Sequence, residues 1–319
     1  GYYALTPISH ALTYGSTVYE KGWMVWHSLR GYLGEELFYN AVKRLMNNCA
    51  FGNIDSYRLR DSLSLYTGVD LTDFFEFHVF TPGFVDYHVD VDFHGDVSSR
   101  PFVTIRQQGV GNESAVHSNR VPVTFFSRDG EQCKKWISFH GSDTSLNVEL
   151  PFDAPAYYVL DYDKEISDAA TVRPLTLDGG YHTKKATVCH VQAAAANPAK
   201  IYVEHHWGKP WGTMPEGVKR TAGRYWVLRG AWSHDDALKM SFRYVRTGNS
   251  SSEYENLDRG FYRGTATADS LALLYREGEG SEWRVVSRTR CGNNNEGFLE
   301  GEYIMPGEYT LAVIDSTVV

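Results

Sequence analysis

The spacing of apolar residues changes once along this chain, at Thr81-Pro82-Gly83, and that change divides what it can fold into. Upstream, Val18, Gly22, Val25, Leu29 and Leu33 recur at three- and four-residue intervals, the stripe of an amphipathic helix. Thr17 and Glu20 have capping-box spacing at its start, and Gly34 offers a C-cap. Leu37, Phe38, Ala41, Val42, Leu45 and Met46 predict a second helix. Asp55 can cap a third, with Leu59, Leu63 and Tyr66 inward and Gly68 closing it. Asp70 can cap a fourth, whose Phe74, Phe75 and Phe77 run to the Pro-Gly stop. Four short helices joined by tight turns predict a compact bundle.

Downstream the period is two. Tyr87, Val89, Val91 and Phe93 alternate with His88, Asp90, Asp92 and His94, which predicts a strand with one buried face. Further strands are predicted at 102–107, 121–127, 134–140, 146–150 and 156–161, a pattern that suits a β-sandwich. Around Asp178-Gly179-Gly180 the pattern restarts. Strands are predicted there at 186–191, 201–206, 225–232, 238–245, 270–275, 283–287 and 308–314, with Gly-, Asn- and Ser-rich connections such as 247–252 and 292–296. The fold class is therefore multidomain α+β: a short helical bundle followed by two all-β sandwich domains, with domains at 1–83, 84–175 and 176–319.

A length of 319 residues carries two or three domains, and 42% hydrophobic residues are enough to give each a core. The net charge of −8 opposes nucleic acid or an anionic membrane surface as a default partner. No apolar run reaches the roughly 18–20 residues of a membrane span. Cys49, Cys133, Cys189 and Cys291 are far apart and form neither a disulfide framework nor a Cys-x-x-Cys knuckle; four buried free thiols, or one disulfide, are the readings left.

Three motifs in order point to a chemistry: Val18-Tyr19-Glu20-Lys21-Gly22; Ala50-Phe51-Gly52-Asn53 with Thr67-Gly68-Val69-Asp70-Leu71; and Phe74-Phe75 followed by Pro82-Gly83. Together they resemble the zinc aminopeptidases of the aminopeptidase N family (gluzincins) over residues 16–85. The last domain resembles the C-terminal β-domain of a bacterial secreted subgroup of these peptidases. That likeness rests on Val203-Glu204-His205-His206-Trp207, Arg224-Tyr225-Trp226, Asp269-Ser270-Leu271-Ala272-Leu273-Leu274-Tyr275-Arg276 and Pro306-Gly307-Glu308-Tyr309-Thr310-Leu311-Ala312.

The resemblance implies that residues 1–83 are the end of a gluzincin catalytic domain. It implies that Tyr19 holds the oxyanion formed when zinc-bound water attacks a peptide carbonyl. It implies a parent protein, periplasmic or extracellular, that takes peptide substrates and hydrolyses N-terminal peptide bonds. The family's zinc motif, His-Glu-x-x-His plus a second glutamate, lies upstream of this tyrosine. The chain is thus expected to be the C-terminal portion of such a peptidase. Zinc belongs to the intact parent; none is expected in this chain, nor activity from it alone. The family usually has alanine where Trp23 stands, tryptophan at His78 and often proline at Val85. These departures keep a second reading open: a non-catalytic peptide- or glycan-binding or scaffold module of a degenerate peptidase, with glycan or protein contact through the C-terminal β domain.

Read without the resemblance, the residues give less. A tyrosine at the position of Tyr19 is as well explained by packing on Trp23 and Trp26, and the substrate-binding residues are unknown. The twelve histidines include no His-x-x-x-His with glutamate beside the first. His205 and His206 are adjacent and point to opposite strand faces. Glu204 and His206 share a face, but two ligands do not make a zinc site. The His88, Asp90, Asp92 and His94 face is the best remaining metal candidate, with a solvated sheet face the plainer reading. Trp207, Trp211, Trp226, Trp232 and Trp283 either fill the last sandwich or line a binding platform, packing being the commoner use. Gly22 within a helix costs on the order of 1 kcal/mol against alanine, which a close backbone approach or simple drift would explain.

Overall fold

The computed structural model describes residues 3–93, 99–112, 118–177, 200–232, 234–246, 258, 260–261 and 267–315, and the backbone alone of 180–186, 189–195 and 199. The chain is α+β, helices first and sheets after. It divides into two compact units, Gly1–Pro155 with Val159–Ala169, and Ala156–Tyr158 with Ala170–Val319.

In the first unit the helices are α1 (Gly22–Leu33), α2 (Glu35–Asn48), α3 (Ser56–Thr67) and the single turn α4 (Thr72–Phe75). A π-helical turn, Thr17–Lys21, leads into α1, and a second, Glu76–Phe80, follows α4. Local chemistry sets several boundaries as the sequence predicts. Asp55 accepts the Arg58 N–H at 2.8 Å, and Gly68 closes α3 in the left-handed region at φ 71. Asp70 accepts the Thr72 N–H at 2.9 Å, but it stands one residue before the N-cap of α4, which is Leu71 rather than the predicted Asp70. The capping box does not form. Ser16 is already helical, the Val18 and Tyr19 N–H groups go to the Gly15 carbonyl, and Thr17 is buried. The orphan donors are met before a Thr17 or Glu20 side chain could reach them. Met46 is exposed rather than inward, because it stands about 100° around the helix from Leu45. The core joins Val25, Leu29, Phe38, Ala41, Leu45, Leu63, Leu71, Phe74 and Phe75.

Two three-stranded sheets complete this unit. One has the order β1 (Phe84–Asp92), β2 (Phe102–Val110), β5 (Asp143–Asn147); the other has β4 (Gln132–His140), β3 (Ser118–Ser127), β6 (Pro155–Leu160). Tyr87 of β1 meets Phe139 of β4 edge to face, with ring centroids 6.5 Å apart. Strand β5 ends at Asn147, earlier than the predicted 146–150. The half-buried expectation for β1 fails: Val85, Tyr87 and Val89 are buried on one face, but so are Asp86 and His88 on the other. That polar face is matched across the ladder, Asp86 opposite Gln108 and His88 opposite Arg106, with the Gln108 amide donating to Asp86 at 2.8 Å. Arg120 of β3 donates to the Tyr32 carbonyl at 2.9 Å, and Ser118 to Asp73 at 3.0 Å, bonding helices to sheet.

The second unit is a pair of antiparallel sheets. The six-stranded one runs β14 (Arg284–Ser287), β13 (Leu271–Arg276), β17 (Gly307–Ile314), β11 (Val218–Gly230), β10 (Ala199–His206), β7 (Ala170–Leu177). The five-stranded one runs β15 (Arg290–Gly292), β16 (Glu296–Gly301), β12 (Lys239–Val245), β9 (Cys189–Ala195), β8 (Gly180–Ala186). Their facing sides share a core: Phe242 of β12 stacks on Tyr309 of β17 at 5.2 Å and meets Trp226 of β11 at 5.0 Å. The sequence reading runs one strand through 186–191, whereas β8 ends at Ala186, β9 begins at Cys189 and the two pair antiparallel; it also omits β7, β15 and β16. Trp226 and Trp283 are buried, and Trp232 packs on the core while donating to the Ile304 carbonyl at 2.6 Å. These three therefore serve packing. Cys49, Cys133 and Cys291 are free; Cys291 is exposed, contrary to the buried expectation, and the Cys189 side chain lies outside the described residues.

Candidate functional site

Tyr19 sits in the middle of the π-helical turn with 60% of its surface exposed. A π turn admits one more residue than an α turn and shifts the facing of the residues that precede it, which is why such turns recur at functional sites. Here Thr17 and Lys21 face inward, and Tyr19 and Glu20 face outward. The phenol makes no hydrogen bond among the described residues, so its O–H is available to an acceptor from outside.

Lys21 anchors the turn from beneath. It is 2% exposed, and its ammonium donates to the carbonyls of Tyr3 and Thr81, each at 3.1 Å. Its third neighbour is the Phe84 ring, 5.6 Å to the centroid. It forms no ion pair among the described residues. Burial alone pulls its pKa down to about 8.

One turn on, Trp23 is 67% exposed and lies flat on His27, centroids 5.5 Å apart and planes 11° from parallel. The packing of Tyr19 on tryptophans that its position suggests is not formed as a buried contact. Further along α1 the helix is held by residues 161–167. His27 donates through Nε2 to the Lys164 carbonyl, which fixes its tautomer. Ser28 Oγ accepts the Ser167 N–H at 2.6 Å. At Gly31 an added Cβ would stand 2.5 Å from the Glu165 carbonyl and 3.1 Å from Trp136. That is where a glycine is needed for a close approach. At Gly22 a Cβ would meet only Leu5, at 3.9 Å, an ordinary contact. The 161–167 loop is shaped by Asp161, which stands at φ 45 and accepts the Glu165 and Ile166 N–H groups at 2.6 and 3.2 Å. Burial outweighs those two donors and raises its pKa to about 7.

Zinc needs three protein ligands and an open position. Among the described residues no three His, Cys, Asp or Glu side chains come together, so these residues do not fit a zinc ion. Of the metal candidate on β1, His88 is buried, Asp92 is exposed, and His94 lies outside the described residues.

His205 and His206 part to opposite faces of β10, as adjacent strand residues must. His206 Nε2 stands 3.5 Å from Glu204 Oε2. His205 is fully buried on the core side, where Arg224 Nη1 donates to its Nε2 at 3.3 Å. Arg224 is itself locked to Asp258 by two bonds of 2.8 and 2.9 Å and lies over Trp226 at 4.6 Å. Burial first, then the Arg224 charge, holds the His205 pKa well below the usual range, so the ring is neutral with its proton on Nδ1. Sequence reasoning found the histidines and marked Arg224 within the Arg224-Tyr225-Trp226 stretch, but missed Asp258 and its pairing with Arg224, which lies 34 residues away.

No family model and no curated protein matches this chain. Among solved structures, aminopeptidase A of Legionella pneumophila in complex with aspartic acid is similar at 15% identity, with a TM-score of 0.40. That likeness covers 48% of this chain and only 17% of the other, and it assigns neither a family nor a site.

Proposed function

We propose that this chain is the C-terminal portion of a zinc aminopeptidase-like protein in which Tyr19 donates the hydrogen bond that stabilises the oxyanion. The observation that carries this reading is the placement of Tyr19. Its phenol is exposed and without an internal acceptor, on a turn whose other side is buried through Thr17 and Lys21. Such a donor acts only if it is held at about 2.7–3.1 Å from where negative charge develops, and a turn anchored from beneath limits its wandering. The metal-holding residues would belong to another part of that protein, and compartment and peptide substrate follow the resemblance: periplasmic or extracellular, N-terminal peptide bonds.

The test is hydrolysis of amino-acid anilides by the whole protein. It is expected to be abolished by a chelator and restored by zinc, with none from residues 1–319 alone. Chelator-sensitive hydrolysis by residues 1–319 would contradict the reading. Trp23 favours a second one. Its exposed ring, stacked on His27, suits a platform for a peptide or glycan in a protein that has lost catalysis. Saturable binding of such a ligand by a zinc-free, inactive whole protein would select it.

A further inference from the structure

Residues 3–6 form a strap beneath the Tyr19 turn. The Leu5 and Thr6 N–H groups both donate to the Val79 carbonyl, at 2.8 and 3.1 Å, and Thr6 Oγ1 meets Ser56 Oγ at 2.7 Å. Leu5 packs against the helical core and under Gly22. The Tyr3 carbonyl takes one of the Lys21 N–H groups. The strap thus roofs an ammonium that has neutral acceptors and an aromatic ring for company and, among the described residues, no ion-pair partner. Burying a cation in that way is costly, and the cost disappears when the cation reaches water.

The other titratable groups on the elements around it form no ion pair with it among the described residues. Tyr3, Tyr19, Glu20 and Glu76 are exposed. His78 is packed against Phe74 and Phe77, and Asp86 of β1 is bonded by Gln108.

We infer that Lys21 makes residues 3–6 a pH-gated strap: while Lys21 is charged the strap opens readily to hydrate it, and loss of its proton keeps the strap shut. The sign follows from linkage. The closed state binds the proton less tightly than the open, solvated one, so acid favours opening and alkali favours closure. Lys21 and Tyr19 share one turn, so an open strap removes the floor on which that turn is set. Lys21 is then a positioning residue for Tyr19, a consequence that rests on the function proposed for Tyr19; the strap itself does not.

The experiment is native-state hydrogen exchange of the Leu5 and Thr6 amides in the chain as it stands, corrected for intrinsic exchange, from pH 7 to pH 9. With the Lys21 pKa lowered from 10.5 to about 8, opening should be about tenfold rarer at pH 9 than at pH 7. Lys21→Met, which removes the charge and keeps the apolar stem, should make protection flat with pH and at least as high at pH 7. A flat wild-type profile overturns the proposal whether or not the variant folds. So does a wild-type rise that Lys21→Met retains, or protection that falls with pH, which would mean that the ammonium clamps the strap. Because this readout needs no catalysis, its failure leaves the reading of Tyr19 untouched, and failure of that reading leaves the strap standing.

Discussion

His27 binds its ring nitrogen to the carbonyl of Lys164, 137 residues away, while its face lies on Trp23. One imidazole therefore couples the 161–167 loop to the exposed Trp23 on α1, the helix that follows the Tyr19 turn. The loop is held at three successive levels of α1, at His27, Ser28 and Gly31. Lys134 ties its outer side through Asp163 and Glu165, at 2.9 and 2.6 Å.

Gly31→Ala should loosen that docking. The new Cβ would stand 2.5 Å from the Glu165 carbonyl, so backbone must move. Overpacking of this kind typically costs about 1–3 kcal/mol. Urea unfolding of the first unit should show a lower midpoint with an unchanged slope, whereas Gly22→Ala, whose Cβ would make only an ordinary contact at 3.9 Å, should show no loss. Equal effects at the two glycines would contradict the close approach at Gly31.

Asp161 gives the first unit a pH dependence. Its pKa is raised by burial from 3.8 to about 7, so the folded state holds the proton more tightly than the unfolded one. The stability contributed is fully present below about pH 4 and is lost as pH rises toward 7, on the order of a few kcal/mol at most. Asp161→Asn should flatten this part of the stability profile between pH 4 and 7. An unaltered profile in the variant would show that the two backbone N–H bonds keep the carboxylate ionised throughout.

In the second unit, Asp258→Asn should be strongly destabilising, because it leaves the Arg224 charge buried beside a neutral amide and a neutral His205. Breaking one side of such a pair costs about 3–5 kcal/mol. Replacing Arg224 and Asp258 together by apolar residues should cost much less than the sum of the two single changes. Additive losses in a double-mutant cycle would refute direct coupling.

Leu63 is fully buried in the helical core, and Asp55 caps the same helix. Leu63→Ala should cost about 2–5 kcal/mol and Asp55→Ala about 1 kcal/mol. Thermal unfolding that ranked them the other way would contradict the packing described for α3.

The parts legible in the sequence were those fixed by neighbours. Asp55, Gly68 and Asp70 act within four residues of themselves, and the strands at 201–206 and 308–314 are short apolar-rich runs that local composition marks. What escaped depends on distant chain. Burial of Lys21 needs Tyr3 and Thr81; the glycine at Gly31 answers to Glu165; burial of Asp86 answers to Gln108. The three-residue strand β15 pairs with β16 across a turn that reads as a plain Gly-Asn connection, too short for any period to show. Tyr19 was singled out by resemblance; its exposure on a π turn came only with the fold.

The most direct measurement is steady-state kinetics of Tyr19→Phe in the whole protein. The account predicts a fall in kcat of about 100- to 1000-fold with KM nearly unchanged, the mark of a bond made only in the transition state. A wild-type kcat, or a rise in KM that accounts for the whole loss, would contradict an oxyanion role for Tyr19.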